Sequence, residues 1–130
     1  MKLARLSLYV MAVVFLGLGP MSLIAPTNLT PLVEISMPTP IAVMEIRGVY
    51  GGLFFGIGFF FLLFARSDAW LRPGLVAQAG IMGGFVLGRT VGIVLGGAPN
   101  LFIAALLAGE VLMVAVALVA LRQLNGGTAG

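Results

Sequence analysis

The chain has 130 residues, of which 61% are hydrophobic and 8% charged, and its formal net charge is +3. A water-soluble fold of this size could not cover so much apolar surface, so lipid is the expected solvent for most of the chain. The seven basic residues are scattered singly, which excludes a patch for nucleic acid. Cysteine and histidine are absent, so we expect no metal, no cofactor and no thiol chemistry.

The first apolar segment, residues 6–25, follows a basic start that contains Lys2 and Arg5. It is longer than the roughly 7–15 residues of a signal-peptide core, and no small-residue cleavage site follows it. We therefore predict a retained membrane span. Pro20 lies in its second half and predicts a kink or an early end.

The stretch 26–40 carries four prolines among polar side chains, a composition that breaks helices and lies outside the hydrocarbon. Residues 32–37 alternate loosely, which allows a short strand or a segment on the bilayer surface. One functional interpretation is a lid over the outer end of the helices. Loop-length statistics favour a proline-stiffened loop.

Three further apolar segments predict membrane spans over residues 41–64, 74–95 and 101–121. Each is long enough to cross about 30 Å of hydrocarbon at about 1.5 Å per residue. A polar loop over 65–73 is expected between the first two of these segments, and a glycine- and proline-containing turn over 96–100 between the last two.

The basic residues outside the spans all fall on one side of the predicted membrane; they are Lys2, Arg5, Arg66, Arg72 and Arg122. The positive-inside rule then makes both termini and the middle loop cytoplasmic. The sequence thus predicts an all-α integral membrane protein, an antiparallel bundle of four transmembrane helices. Residues 1–125 would form its single domain, and residues 126–130 a disordered tail.

Two of the predicted spans carry rows of glycines four residues apart. The third span has Gly80, Gly84, Gly88, Gly92 and Gly96, and the second has Gly48, Gly52 and Gly56. Such rows let two helix backbones approach closely, so we predict that the two spans pack on each other. A homodimer face is the alternative.

Charged residues inside apolar segments are the strongest functional signal in the chain. They are Glu45, Arg47, Arg89 and Glu110, with Tyr50 close to the first two. Each such charge costs roughly 2.5–3.5 kcal/mol on insertion scales, so it persists only when it is paired, hydrated or useful. Counted at about 1.5 Å per residue, all of these residues lie within about 16 Å of the outer ends of their spans. We predict a Glu/Arg network in the outer half of the bundle.

Helical periodicity gives the expected directions of these side chains. Glu45 lies on the glycine side of the second span and is directed toward Arg89. Arg47 lies on the opposite side, where it would reach another neighbour or the interface. Glu110 is the deepest charge, and Arg89 is its expected partner.

The segment Glu45-Ile46-Arg47-Gly48-Val49-Tyr50-Gly51-Gly52, together with Arg89 and Glu110, resembles a family of small bacterial four-span membrane proteins. That family is described only as a domain of unknown function and is akin to the DoxX-like group. The resemblance covers nearly the whole chain and implies a four-span fold in the bacterial inner membrane. It implies no activity.

Two functions from different classes therefore stay open. In the first, the buried network is structural or assembly-related, and the partners are the bilayer and a homodimer or larger membrane complex. In the second, the chain binds a small polar, lipid or quinone-like ligand at the outer face, or belongs to a proton-coupled transporter. Catalysis would need Glu45 or Glu110 as an acid or base. No residue is assigned a catalytic role, and we do not expect an enzyme.

Overall fold

A computed structural model describes residues 1–127, which form helices joined by short connections and contain no strand. The helices, in chain order, are α1 (Lys2–Ile24), α2 (Pro40–Ile46), a π-helical segment (Arg47–Leu53), α3 (Phe54–Arg66), α4 (Asp68–Gly96) and α5 (Leu101–Gly126). Four helical stretches are long and apolar enough to cross a membrane: Lys2–Ile24, Pro40–Arg66, Asp68–Gly96 and Leu101–Gly126. Residues 1–127 are therefore all-helical and contain four candidate spans.

The predicted polar loop over 65–73 is wrong. Helix α3 ends at Arg66 and α4 begins at Asp68, so that only the extended residue Ser67 separates them. Pro73 lies in the second turn of α4, where it removes one backbone hydrogen bond without ending the helix. The charges and the proline of this stretch therefore lie in the helix itself.

The connection between α1 and α2 contains two short 3₁₀ turns, Pro26–Asn28 and Thr30–Val33. Glu34 ends the second turn with a left-handed backbone, at φ 58°. A strand over 32–37, which the alternation allowed, does not form. Helix α1 also continues through Pro20 instead of ending there.

The chain divides into two compact units. The first consists of Met1–Leu8 together with the chain from Phe64 onward. In this unit Gln78 of α4 contacts Met113 of α5, and Arg89 contacts Glu110. Residue numbers rise along α4 as they fall along α5, so these helices form an antiparallel hairpin. The core of the first unit includes Leu8 of α1 together with Leu71, Leu75, Ala117 and Ala120 of the hairpin.

The second unit, Tyr9–Leu63, pairs α1 with the π-helical segment and α3. A Cβ added at Gly19 would lie 2.6 Å from the backbone nitrogen of Phe55. One added at Gly58 would lie 2.7 Å from the nitrogen of Leu16. Glycine at these two positions is thus what allows the backbones to approach. The ring of Phe15 packs edge-on against that of Phe54, with 5.1 Å between centroids.

The glycines of the two predicted rows have open space beside them. A Cβ would meet no heavy atom within 4 Å at Gly48, Gly56, Gly80, Gly84, Gly88, Gly92 or Gly96, and at Gly52 only the carbonyl oxygen of Arg47, at 3.8 Å. The two rows are therefore not the places where glycine is needed for close packing; Gly19 and Gly58 are such places. How the two rows lie relative to each other stays a prediction, as does the single domain over 1–125.

The predicted disordered tail begins inside a helix. Gly126 is the last residue of α5, and Gly127 follows it as a turn. Residues 128–130 of that tail lie outside the described part of the chain.

Candidate functional site

The turn between α4 and α5 determines the position of the deepest charges. Gly97 ends α4 with φ 126°, a conformation that favours glycine. The side chain of Asn100 caps α5 by accepting a hydrogen bond from the Ile103 amide at 2.8 Å. Arg89 and Glu110 lie about 10 Å and about 14 Å along their helices from this turn, at about 1.5 Å per residue. The hairpin thereby brings their side chains to a similar depth.

Arg89 and Glu110 form an ion pair between the two helices. The Arg89 Nε donates to both carboxylate oxygens of Glu110, at 3.0 and 2.9 Å. The side chain of Glu110 is only 10% exposed, and that of Arg89 is 26% exposed. A charge this deeply buried depends on its partner, because removing the partner leaves it unpaired in a medium of low dielectric constant.

Phe85 lies one turn below Arg89 on α4. The central carbon of the guanidinium lies 5.8 Å from the centroid of the Phe85 ring. At this distance the cation is attracted to the face of the ring. Arg89 is therefore restrained on two sides, by a carboxylate on α5 and by an aromatic ring on its own helix.

The other charges have different environments. The Arg47 Nε donates to the carbonyl oxygen of Leu23 on α1 at 3.0 Å, and both Arg47 and Glu45 are exposed. Within residues 1–127, Glu45 forms no ion pair. The ring of Tyr50 packs on Phe54 with 5.3 Å between centroids.

Of the five candidate residues, the structure thus brings together Arg89 and Glu110. A network that includes Glu45, Arg47 and Tyr50 as well stays a prediction. The segment with the E-x-R-x-x-Y-G-G pattern has one unexpected property: from Arg47 to Leu53 it is π-helical. π-Helical segments are rare in proteins, and those that occur are often found at functional sites.

Sequence reasoning missed a neutral polar cluster in the first unit. Gln78 on α4 is fully buried; its Oε1 accepts from the Ser7 hydroxyl, and its Nε2 donates to the Met113 carbonyl, both at 2.9 Å. These bonds tie α4 to α1 and α5. The available signal was a lone amide in an otherwise apolar segment, since a buried amide needs partners.

Polar contacts also lie at the end of the first unit where α4 begins. Arg5 donates to the carbonyl oxygen of Ala65 and pairs with Asp68, while Arg72 donates to Asn125. Asp68, Arg72 and Asn125 are exposed, and Arg5 is half-buried. Exposed pairs contribute little to stability, typically about 0–1 kcal/mol.

The described residues contain no group of three or more side chains suited to hold a metal ion. The paired charges of Arg89 and Glu110 can act electrostatically: they can fix helices, bind a charged group or exchange a proton.

In a comparison with protein families, residues 3–121 match the domain of unknown function DUF4345. The match covers most of the chain, and the protein belongs to this family. No curated protein and no solved structure matches it significantly.

Proposed function

We propose that this DUF4345 protein is a structural or assembly-related component of the bacterial inner membrane, in which the Arg89–Glu110 pair locks α4 to α5. Both termini lie in the cytoplasm, and the paired charges lie in the outer half of the bilayer. We also propose that this family is related to the DoxX-like group of membrane proteins.

The observation that supports this role most strongly is the pairing of Arg89 with both oxygens of Glu110. A buried ion pair is weak evidence for added stability, because desolvation offsets most of the attraction. Its effect is on specificity: a helix that is rotated or shifted along its neighbour leaves two buried charges unpaired. The pair thus selects one register for the hairpin.

A double-mutant cycle tests this role. Glu110→Gln and Arg89→Gln should each destabilise the protein by about 3–5 kcal/mol, because each leaves one charge unpaired. The double variant should be more stable than either single variant, since both charges are then gone. Thermal unfolding in detergent, followed by circular dichroism, measures all three. Single variants as stable as the parent would contradict the structural role.

The proposed orientation has its own test. Reporter fusions at Arg72 and after Arg122 should report the cytoplasm, and fusions near Glu34 and Ala98 the periplasm. A periplasmic reading at the C-terminal fusion would overturn the four-span orientation.

A second candidate function is binding of a small polar, lipid or quinone-like ligand around Glu45, Arg47 and Tyr50. The π-helical segment that begins at Arg47 favours it, because such helices often accompany functional sites. The exposure of Glu45 and Arg47 also favours it. Arg47→Gln and Glu45→Gln should then fold normally and lose the protein's effect in the cell. Full activity of both variants would exclude this function.

A further inference from the structure

Arg89 uses only part of its hydrogen-bonding capacity on the protein. Both of its bonds to Glu110 come from Nε, and the terminal nitrogens Nη1 and Nη2 have no hydrogen-bond partner among residues 1–127. Neither nitrogen is among the buried polar atoms that lack a partner, so both are accessible. A guanidinium carries five N–H groups, of which four belong to these two nitrogens. Donors of a charged group at this depth need an acceptor.

The depth of Arg89 brings the lipid headgroups within its reach. Helix α4 has 29 residues, about 43 Å at about 1.5 Å per residue, so it extends beyond a hydrocarbon core of about 30 Å. Arg89 lies about 10 Å from the end of this helix, near the boundary between acyl chains and headgroups. Long basic side chains direct their charge toward that boundary.

The surface of α4 around Arg89 is open to lipid. Between Arg89 and the end of the helix, Gly92 and Gly96 lie on nearly the same side as Arg89, are exposed, and have free space beside them. No side chain at these two positions separates the guanidinium from the headgroup region. Toward the middle of the helix, the half-buried side chains of Phe85 and Val86 lie within about 60° of Arg89 and add apolar surface for acyl chains.

We propose that Nη1 and Nη2 of Arg89 bind the phosphate group of a membrane lipid, whose acyl chains lie on the apolar surface of α4. The terminal fork of a guanidinium matches two phosphate oxygens, and such charge-assisted bonds are strong. Glu110 holds Nε and so orients the fork. Its negative charge also weakens the attraction for any anion, which favours a ligand that is concentrated in the bilayer over a dilute soluble phosphate.

Two other arginines of the first unit use their terminal nitrogens within the protein, and one of them, Arg72, provides the control. The terminal nitrogens of Arg5 donate to Ala65 and Asp68, and a terminal nitrogen of Arg72 donates to Asn125. Arg72 lies on the same helix as Arg89 and is exposed, so Arg72→Lys matches Arg89→Lys in charge and chemistry.

The test uses the full chain in a neutral detergent and measures the thermal unfolding midpoint against added lipid. The probes are phosphatidylglycerol, a diacylglycerol with the same acyl chains, and inorganic phosphate. Phosphatidylglycerol should raise the midpoint, and the other two should not, because only it combines phosphate with acyl chains. Arg89→Lys keeps a cation opposite Glu110 and loses the fork, so its apparent affinity for phosphatidylglycerol should fall about tenfold. Arg72→Lys should bind like the parent.

Three other results would contradict the binding of a phospholipid by Arg89. An equal shift with diacylglycerol would mean that acyl chains alone bind, and an equal shift with inorganic phosphate would identify a soluble anion as the ligand. An equal loss in Arg72→Lys and Arg89→Lys would mean unspecific attraction to positive charge. If Arg89→Lys does not fold, the three probes on the parent chain still show whether the ligand is a phospholipid, acyl chains alone or a soluble anion.

Discussion

The charged residues inside the apolar segments have opposite environments in the two units. In the hairpin of α4 and α5, Arg89 and Glu110 are largely buried and neutralise each other. In the second unit, Arg47 and Glu45 are exposed, and Arg47 donates to a backbone carbonyl of α1. A charge that is buried needs an opposite charge, whereas an exposed charge near a helix end can be satisfied by water or headgroups. The same residue types therefore have different energetic roles.

The largest difference is expected between the two glutamates. Glu110→Gln should destabilise the protein by about 3–5 kcal/mol, because Arg89 is left without a counter-charge. Glu45→Gln should change stability by less than about 0.5 kcal/mol, since Glu45 is exposed and forms no ion pair within residues 1–127. Denaturant titration of both variants in detergent measures the two values. Equal losses would mean that Glu45 is buried and paired as Glu110 is.

The next effect concerns backbone packing in the second unit. Gly19→Ala should cost about 1–3 kcal/mol, because its Cβ would lie 2.6 Å from the Phe55 nitrogen, and backbone cannot move aside cheaply. Gly17→Ala on the same helix is the control, as its Cβ would meet nothing within 4 Å.

Substitutions in the glycine row of α4 should leave stability unchanged, as Gly17→Ala should. Gly84→Ala should be neutral or stabilising by up to about 1 kcal/mol in the monomer, given the open space beside it and the higher helix propensity of alanine. A large loss of stability at Gly84, seen in the same unfolding assay, would mean that this row is closely packed.

A smaller effect is expected for the neutral cluster of the first unit. Gln78→Leu should cost about 1–2 kcal/mol, because the buried Ser7 hydroxyl loses its acceptor. Adding Ser7→Ala should recover part of this loss, since neither partner is then unsatisfied. Thermal unfolding compares the two variants. No recovery in the double variant would mean that packing, and not the hydrogen bond, determines the cost.

A small effect is also expected at Arg47. Arg47→Lys should cost at most about 1 kcal/mol, because it removes one exposed hydrogen bond to Leu23 and retains the charge. Amide hydrogen exchange should show faster opening at the end of α1, where that bond is made. A loss as large as that of Glu110→Gln would place Arg47 in a buried network and erase the contrast between the units.

Composition and the lengths of the apolar segments determined the four candidate spans, because bilayer thickness allows few other solutions for such a chain. Local chemistry also determined the turn at Gly97 and Asn100, where a left-handed residue and a helix cap depend on neighbouring residues only. The pairing of Arg89 with Glu110 followed from the cost of a lone buried charge and from the shortness of that turn.

Only the tertiary structure decided which faces meet. The regular four-residue spacing at Gly80–Gly96 indicated close packing, yet the close approaches occur at Gly19 and Gly58, which belong to no such row. The π-helical segment from Arg47 and the partners of Gln78 were likewise undetectable in the sequence. A pattern along one helix specifies which residues share a face, but the partner of that face depends on the packing of the other helices, and a single sequence carries no direct record of it.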